Sequence, residues 1–443
     1  MLASTFDEGF FKIKETKQWI NNHGYQRVAL QLPDSLLRFA PELSKAFHEF
    51  KTFVLADTSY GECCVDQIAA AHNNANCVIH YGRSCLSRPT YLPTFLVFCD
   101  LGKDVDIERT HLNCMKEFTS IFIEIDVRYE GLRTALHNLM SDLGIQSFEL
   151  SKPPPSELIP LHVTPDNLST NAGCDYSEHY QNFEAVLFVG PSQCPQLDKI
   201  SFTCATLTER QPKVFSLNPE THEVSARDSN RSLAKRYILV EKVRDSTIIG
   251  ILIGTLSAAG YNPVLDRVKS IIQRSGRKSY SFVFGKLTPS KLANFPDVDS
   301  FVLVACPFNT LIDSREFNKP IVTPYELEVA LNNRTWGSFV WDFSALLSED
   351  IDQGEIKKDR EEDEVRYSLS SGKMVQIKKR SHDPNTTLTL RYESPAAESL
   401  AEKTFRGLDP TVEQMVASKA RPGQYGVATE LYQMDDKDRK KPI

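Results

Sequence analysis

The sequence contains no hydrophobic run long enough to cross a membrane. The longest apolar stretch, residues 248–259, is interrupted by glycine and hydroxyl side chains, and it is shorter than the roughly 20 residues that a membrane-spanning helix needs. We therefore expect a buried helix there and no membrane partner. Asp7 and Glu8 lie where a secretory signal would carry basic and apolar residues, so we expect no export signal and a cytoplasmic location.

The sequence also lacks an excess of basic residues. It has 51 Lys and Arg against 58 Asp and Glu, a formal net charge of -7. Proteins that bind DNA or RNA mainly by neutralising phosphates have the opposite balance, so we expect no nucleic-acid partner. The 41% hydrophobic and 25% charged residues are typical of a globular protein, and a length of 443 residues predicts about three domains.

Several common catalytic motifs are missing. The sequence has no G-x-S-x-G, no H-E-x-x-H, and no G-x-G-x-x-G after the first predicted strand, which argues against hydrolase and dinucleotide-binding functions. It has no C-x-x-C pair and no two histidines spaced i, i+4, which argues against a zinc ribbon or a histidine metal site. Residues 285–291 resemble a phosphate loop but lack its second glycine, and Thr288 with Pro289 predicts a helix start instead.

Short runs of Val, Ile, Leu and Phe recur along the chain, with segments of helical period between them. This alternation predicts an α/β fold with mostly parallel sheets buried on both faces. The predicted strands are 28–32, 53–56, 78–80, 95–98, 121–125, 186–189, 237–240, 282–284 and 301–305. Helices are predicted over 129–143, from Pro263 as the first helical residue, and from the capping box Thr323-Pro-Tyr-Glu326.

These elements fall into three blocks of similar size, which we interpret as α/β domains. The predicted boundaries are residues 1–117, 118–232 and 233–345. From residue 349 to 364 there are nine acidic and three basic residues, a composition that disfavours a packed core. We therefore interpret residues 346–443 as an acidic linker and a mostly disordered C-terminal tail, with a docking segment over 405–427.

Four cysteines lie just beyond the ends of predicted strands. Cys63 and Cys64 follow strand 53–56, Cys85 follows strand 78–80, and Cys306 directly follows strand 301–305. Carboxyl ends of parallel strands form the ligand-binding crevice of open α/β sheets, so these thiols could converge on one centre. Soft thiolates at a shared site favour an iron-sulfur cluster or zinc.

The other cysteines have a plainer interpretation, because a free cysteine is commonly a small buried apolar residue. Cys194 stays ambiguous, since it also follows a predicted strand end, at 186–189. The remaining cysteines, which we predict to be packing residues, are Cys77, Cys99, Cys114, Cys174 and Cys204.

Several segments together resemble the diphthamide synthase family. The segments are ADTSYGECCVD at 56–66, HYGRSCLS at 80–87, RYILVEK at 236–242, GKLTPSKLANFP at 285–296, VACP at 304–307, PIVTPYEL at 320–327 and FRGL at 405–408. The resemblance spans roughly residues 26–345. It implies three related Rossmann-like or flavodoxin-like domains around a central 4Fe-4S cluster.

The resemblance also implies an activity and partners. The family transfers the 3-amino-3-carboxypropyl group of S-adenosylmethionine to one histidine of elongation factor 2, by non-classical radical chemistry in a heterodimer. A protein electron donor and its reductase would reduce the cluster. The first partner would be the other synthase subunit, and elongation factor 2 would be the protein substrate.

Carried over by motif, the cluster ligands are one of Cys63 and Cys64, together with Cys85 and Cys306. The catalytic subunits of the family take one cysteine from each domain, whereas here Cys85 takes the place of the middle-domain ligand, and Cys194 matches that position poorly. The resemblance is thus to the family's second subunit. It implies a chain that is inactive alone, leaves S-adenosylmethionine to its partner, and supports reduction of the partner's cluster; the alternative is a non-catalytic scaffold with a structural metal site.

Overall fold

A computed structural model describes residues 5–55, 61–103, 105–160, 175–228, 230–312, 316–332, 334–348, 364–369 and 372–377. The chain divides into two units, residues 1–382 and 383–443. All described elements belong to the first unit, so the predicted docking segment over 405–427 lies outside the described residues, as does most of the predicted tail.

The elements alternate between strand and helix along most of this unit. The strands are β1 (Arg27–Gln31), β2 (Lys51–Leu55), β3 (Cys77–Tyr81), β4 (Thr94–Val97), β5 (Ser120–Ile125), β6 (Ser147–Leu150), β7 (Glu157–Leu158), β8 (Ala185–Val189), β9 (Lys213–Leu217), β10 (Val224–Arg227), β11 (Ile248–Ile253), β12 (Lys278–Val283), β13 (Ser300–Val304), β14 (Ile321–Val322), β15 (Glu364–Tyr367) and β16 (Met374–Ile377). The α-helices are α1 (Ile13–His23), α2 (Ala40–Ala46), α3 (Gln67–His72), α4 (Arg133–Leu143), α5 (Pro195–Thr206), α6 (Asn230–Arg244), α7 (Tyr261–Arg274), α8 (Pro289–Ala293), α9 (Pro324–Ala330) and α10 (Phe343–Ser348). Short 3₁₀ segments are Asp34–Phe39, Arg109–Glu117, Val127–Leu132 and Tyr180–Asn182.

Three sheets organise the described residues, and they share one topology. Their strand orders are β2-β1-β3-β4-β7, β10-β9-β8-β5-β6 and β12-β11-β13-β14. In each sheet the first strand in sequence lies between the second and the third, which is the flavodoxin-like order. All pairings are parallel except for the edge pairs β4–β7 and β9–β10. The predicted mixed α/β fold with mostly parallel sheets is confirmed, while the three domain boundaries stay a prediction.

Two predicted elements are wrong. The segment 237–240, predicted as a strand, lies inside helix α6, where Leu239, Val240 and Val243 are buried while Tyr237 and Ile238 are exposed. A short apolar run cannot by itself distinguish a strand from the buried face of a helix.

The opposite error affects residues 248–259, which were predicted to be a helix. Residues 248–253 form the central strand β11 of the third sheet instead. Gly250 has a packing role there, because a Cβ atom at this position would lie 2.4 Å from the Phe301 ring. The glycines that interrupt the apolar run are sites of close packing between strands.

The predicted helix starts were more successful. Helix α9 has the predicted capping box between Thr323 and Glu326, and α8 begins at Pro289 after Thr288. Helix α7 begins two residues before the predicted start at Pro263. Among the described residues, no helix combines the length and apolar character that a membrane crossing requires.

Part of the predicted tail is ordered into a two-stranded antiparallel hairpin, β15–β16. Ser368, which follows β15, donates a hydrogen bond to Asp245 at the end of α6 (2.5 Å). No strand or hairpin is predicted in this segment from the sequence. Its strands carry exposed apolar side chains such as Val365 and Met374, and the acidic segment before them obscured the alternation typical of a strand.

Candidate metal centre

The cysteine doublet lies in the loop between β2 and α3, and Gln31 at the end of β1 holds that loop. The Gln31 amide nitrogen donates to the Cys64 carbonyl oxygen (2.8 Å), and its amide oxygen accepts from the Asp66 backbone nitrogen (2.9 Å). Asp66 then caps α3 by accepting from the Ala69 backbone nitrogen (3.0 Å). These three bonds fix the backbone from Cys64 to the start of α3.

Cys85 comes from the loop after the adjacent strand β3. Its backbone nitrogen donates to the Cys63 carbonyl oxygen (3.0 Å), which ties the two loops together. Gly82 has φ +90° at the start of the turn, a conformation that favours glycine. His80, near the end of β3, is buried, and its Nε2 atom lies 2.8 Å from the Arg83 carbonyl oxygen. Burial lowers its pKa.

Cys306 comes from the third sheet, where it follows β13. Its carbonyl oxygen accepts hydrogen bonds from the backbone nitrogens of Asn309 (2.9 Å) and Thr310 (3.1 Å), which close a turn directly after the strand. The first and third sheets are joined nearby, because the Gln67 side chain donates to the Ser257 carbonyl oxygen (2.7 Å). Strand ends from two sheets therefore meet at one place.

The four cysteine sulfurs converge there. All four Sγ atoms lie within 4.8 Å of one another and all four residues are buried. The Sγ atoms of Cys63 and Cys306 are 3.9 Å apart, as are those of Cys64 and Cys85. The structure thus brings together the complete set of predicted ligand candidates, including both members of the doublet.

The thiols of this group shift one another's pKa values. Hydrogen bonding with the Cys306 thiol, assisted by burial, raises the pKa values of Cys63 and Cys64 well above the usual range. Hydrogen bonds from Cys306, Cys63 and Cys64 lower the pKa of Cys85 well below it. One buried thiolate can be stabilised by its neighbours, but several ionised sulfurs need a cation among them.

The donor set fits the metal groups that the sequence predicts. Four sulfur ligands without a histidine or carboxylate among them suit a 4Fe-4S cluster or a structural zinc ion. Phe308 packs against the four cysteines, and an apolar shell of this kind restricts water at a metal site.

Sequence reasoning missed Asn309, whose side-chain nitrogen lies 3.3 Å from Cys306 Sγ and 3.5 Å from Cys63 Sγ. It also missed Gln31. Both had a weak signal: Gln31 is the one polar residue of the predicted strand 28–32, and Asn309 comes three residues after a strand-end cysteine.

The remaining cysteines lie apart from this group. Cys77, Cys99 and Cys204 are buried, as predicted. Cys114 is exposed, so its predicted packing role is wrong: it lies on a short 3₁₀ segment, Arg109–Glu117, in which Leu112 and Met115 are buried instead. Cys174 lies outside the described residues.

Cys194 has a local structural role. Its sulfur accepts a hydrogen bond from the Leu197 backbone nitrogen (3.4 Å) and so caps helix α5. It is not part of the four-cysteine group found among the described residues.

A small cavity of about 40 Å³ lies beside Cys85. Its lining includes Glu124 and Lys199 from the second sheet and its helix, and Phe308 from the third. Burial raises the pKa of the Glu124 carboxyl group, which accepts hydrogen bonds from Tyr180 and Gln196. The volume suits a few waters and is far below the several hundred Å³ of a typical small-molecule pocket.

Comparisons with known proteins agree with this architecture. The family model described as putative diphthamide synthesis protein matches residues 32–341. The chain is 33% identical to 2-(3-amino-3-carboxypropyl)histidine synthase subunit 2 of Danio rerio, covering 94% of this chain and 90% of the relative. It is 34% identical to the protein of the same name from Xenopus laevis, covering 95% and 91%.

A solved structure shares the fold. The crystal structure of Dph2 from Pyrococcus horikoshii with a 4Fe-4S cluster aligns with a TM-score of 0.55 at 23% identity, covering 75% of this chain and 93% of that chain. The family match covers more than half of the sequence, and the relatives match over nearly its whole length. The chain therefore belongs to the diphthamide synthesis protein family.

Proposed function

We propose that this chain is the second subunit of a heterodimeric synthase and that it carries a 4Fe-4S cluster on Cys63, Cys64, Cys85 and Cys306. The heterodimer would transfer the 3-amino-3-carboxypropyl group from S-adenosylmethionine to a histidine of elongation factor 2, in the cytoplasm. The observation that carries the proposal is the convergence of four buried sulfurs within 4.8 Å. The subunit name of the relatives supports a partner chain.

The role we assign to this chain is electron transfer to the partner's cluster. A 4Fe-4S cluster supplies a one-electron carrier. The geometry favours both sulfurs of the doublet as ligands, whereas the sequence favoured one of the two, and four thiolates leave no iron position open to a substrate. The 40 Å³ cavity beside Cys85 is also too small for a nucleoside. We therefore assign S-adenosylmethionine to the partner subunit.

The chain's own residues serve this role by holding and shielding the four sulfurs. Gln31 fixes the doublet loop, the bond from Cys85 to Cys63 joins two loops of the first sheet, and Phe308 covers the group. A protein electron donor and its reductase would deliver the electron.

A second candidate function is a scaffold with a structural zinc ion. Four cysteines make a closed tetrahedral zinc site, so the same observation supports it. The two functions predict proteins of different colour, because an iron-sulfur cluster absorbs near 400 nm and a zinc thiolate site does not.

The experiment that tests the electron-transfer role uses the heterodimer with all four cysteines replaced by serine. We expect the variant to assemble with its partner, to regain most of its activity with dithionite as direct reductant, and to stay slow with the protein electron donor. The unsubstituted heterodimer under both reductants is the control.

Two results would contradict the electron-transfer role. Equal loss of activity under both reductants, with an intact dimer, would place these cysteines in the chemistry itself. Loss of the dimer would favour the scaffold.

A further inference from the structure

We propose that Asn309 is a positioning residue that sets the reduction potential of the metal centre through N–H···S hydrogen bonds. The inference rests on the proposed function, because it concerns a cluster held by the four cysteines. Asn309 is neutral and is not a ligand, and it controls how readily the centre accepts an electron.

The geometry places one amide group over three sulfurs. Asn309 Nδ2 lies 3.3 Å from Cys306 Sγ, 3.5 Å from Cys63 Sγ and 3.8 Å from Cys64 Sγ. Its backbone is held by the bond from its own nitrogen to the Cys306 carbonyl oxygen (2.9 Å). The turn after β13 thus supplies a ligand and, three residues later, a donor directed at that ligand and at the doublet.

Gly61 provides the space that this amide occupies. A Cβ atom at position 61 would lie 2.0 Å from Asn309 Nδ2 and 2.7 Å from its Cγ. Even alanine would therefore displace the Asn309 side chain. The Gly61 carbonyl oxygen also accepts from the Cys64 backbone nitrogen (3.0 Å), so the residue that leaves the space belongs to the same loop as the doublet.

Hydrogen bonds to cluster sulfurs change the potential in a known direction. Reduction adds negative charge to the cluster and its thiolates, and an N–H donor stabilises that added charge more than it stabilises the oxidised state. Loss of the donor therefore makes reduction less favourable. The reduction potential determines whether the centre can accept an electron from a donor protein and pass it to a partner cluster.

The test is a redox titration of anaerobically purified full-length protein, followed by the electron paramagnetic resonance signal of the reduced cluster. Asn309→Leu keeps the side-chain size and removes the donor, whereas Gly61→Ala keeps Asn309 and displaces it. We expect each variant to lower the equilibrium constant for reduction about tenfold, which is about 59 mV for one electron. The double variant should show the shift of one single variant, not the sum, because both changes remove the same hydrogen bonds.

The matched control is Asn294→Leu, at an exposed asparagine, which should leave the potential unchanged. A cluster-loaded Asn309→Leu protein with unchanged potential would overturn the inference and leave the proposed function intact. Additive shifts in the double variant, or loss of iron from every Asn309 and Gly61 variant, would also overturn it. Absence of iron from the unsubstituted protein would instead contradict the proposed function.

Discussion

At the scale of single residues, burial decides how each cysteine behaves. Cys63, Cys64, Cys85 and Cys306 share a space in which a bound cation would let them ionise together. Cys77 is also buried, within β3, but it has no thiol neighbours in that group. Burial alone therefore governs its protonation, and raises its pKa to about 12.

This raised pKa predicts a loss of stability in alkali. The folded chain keeps the Cys77 thiol protonated, whereas the unfolded chain ionises it near pH 9. The contribution of this thiol to the free energy of unfolding is therefore fully present below pH 9 and is lost as the pH rises toward 12. Between pH 8 and 10.5 we expect the free energy of unfolding to fall by roughly 2 kcal/mol more in the unsubstituted protein than in Cys77→Ala. Urea unfolding at both pH values measures this difference, and parallel losses in the two proteins would show that Cys77 does not titrate in this way.

Residue identity also explains how much of the site the sequence could predict. Cysteine is uncommon and strand ends are recognisable, so all four sulfur positions could be placed together before the structure was known. The amide of Asn309 could not, because asparagine after a strand is usual in turns and its direction depends on the empty space at Gly61. The exposure of Cys114 depends on a 3₁₀ segment that has no sequence signature.

At the scale of elements, the repeated alternation of strands and helices made the fold predictable, while two short apolar runs were assigned to the wrong type of element. The segment at 237–240 is apolar like a strand, yet it belongs to α6, because its neighbours outside that window complete a helical face. Gly250 within β11 and Gly254 directly after it interrupt the apolar run, and their lack of a side chain leaves space for the Phe301 and Leu303 side chains. Neither the helical face at 237–240 nor the packing role of the glycines can be recognised until the third sheet is assembled.

Helix α6 is fixed to α9 by a buried ion pair, and this predicts a large stability effect. The guanidinium of Arg236 bonds both carboxylate oxygens of Glu326, with Nε 2.6 Å from Oε1; the side chains are 8% and 0% exposed. Arg236→Met should cost about 3–5 kcal/mol of unfolding free energy, because it leaves a buried carboxylate without its cation.

The matched control for that variant is an exposed pair. Lys17 Nζ lies 3.0 Å from Glu49 Oε1, and these side chains are 27% and 49% exposed. Lys17→Met should cost at most about 1 kcal/mol. Denaturant unfolding of both variants tests the difference, and similar small losses would mean that the buried pair is not important for the packing of α6.

At the scale of the whole molecule, the centre is asymmetric although the three sheets share one topology. Within the described residues, the four-cysteine group draws on loops of the first and third sheets, while Cys194 at the corresponding edge of the second sheet caps α5. The second sheet instead contributes Glu124 to the small cavity beside Cys85. Under the function that we propose, this four-sulfur centre carries an electron and the partner subunit performs the substrate chemistry.

The most direct test of this account is the iron and sulfide content of the anaerobically purified chain, measured together with absorption near 400 nm. We predict about four irons and four sulfides per chain and a brown protein, a strong loss of both in Cys306→Ser, and no loss in Cys204→Ser, which replaces a buried cysteine outside the group. A colourless protein that contains zinc, or a Cys306→Ser variant with full iron content and an unchanged spectrum, would contradict the account.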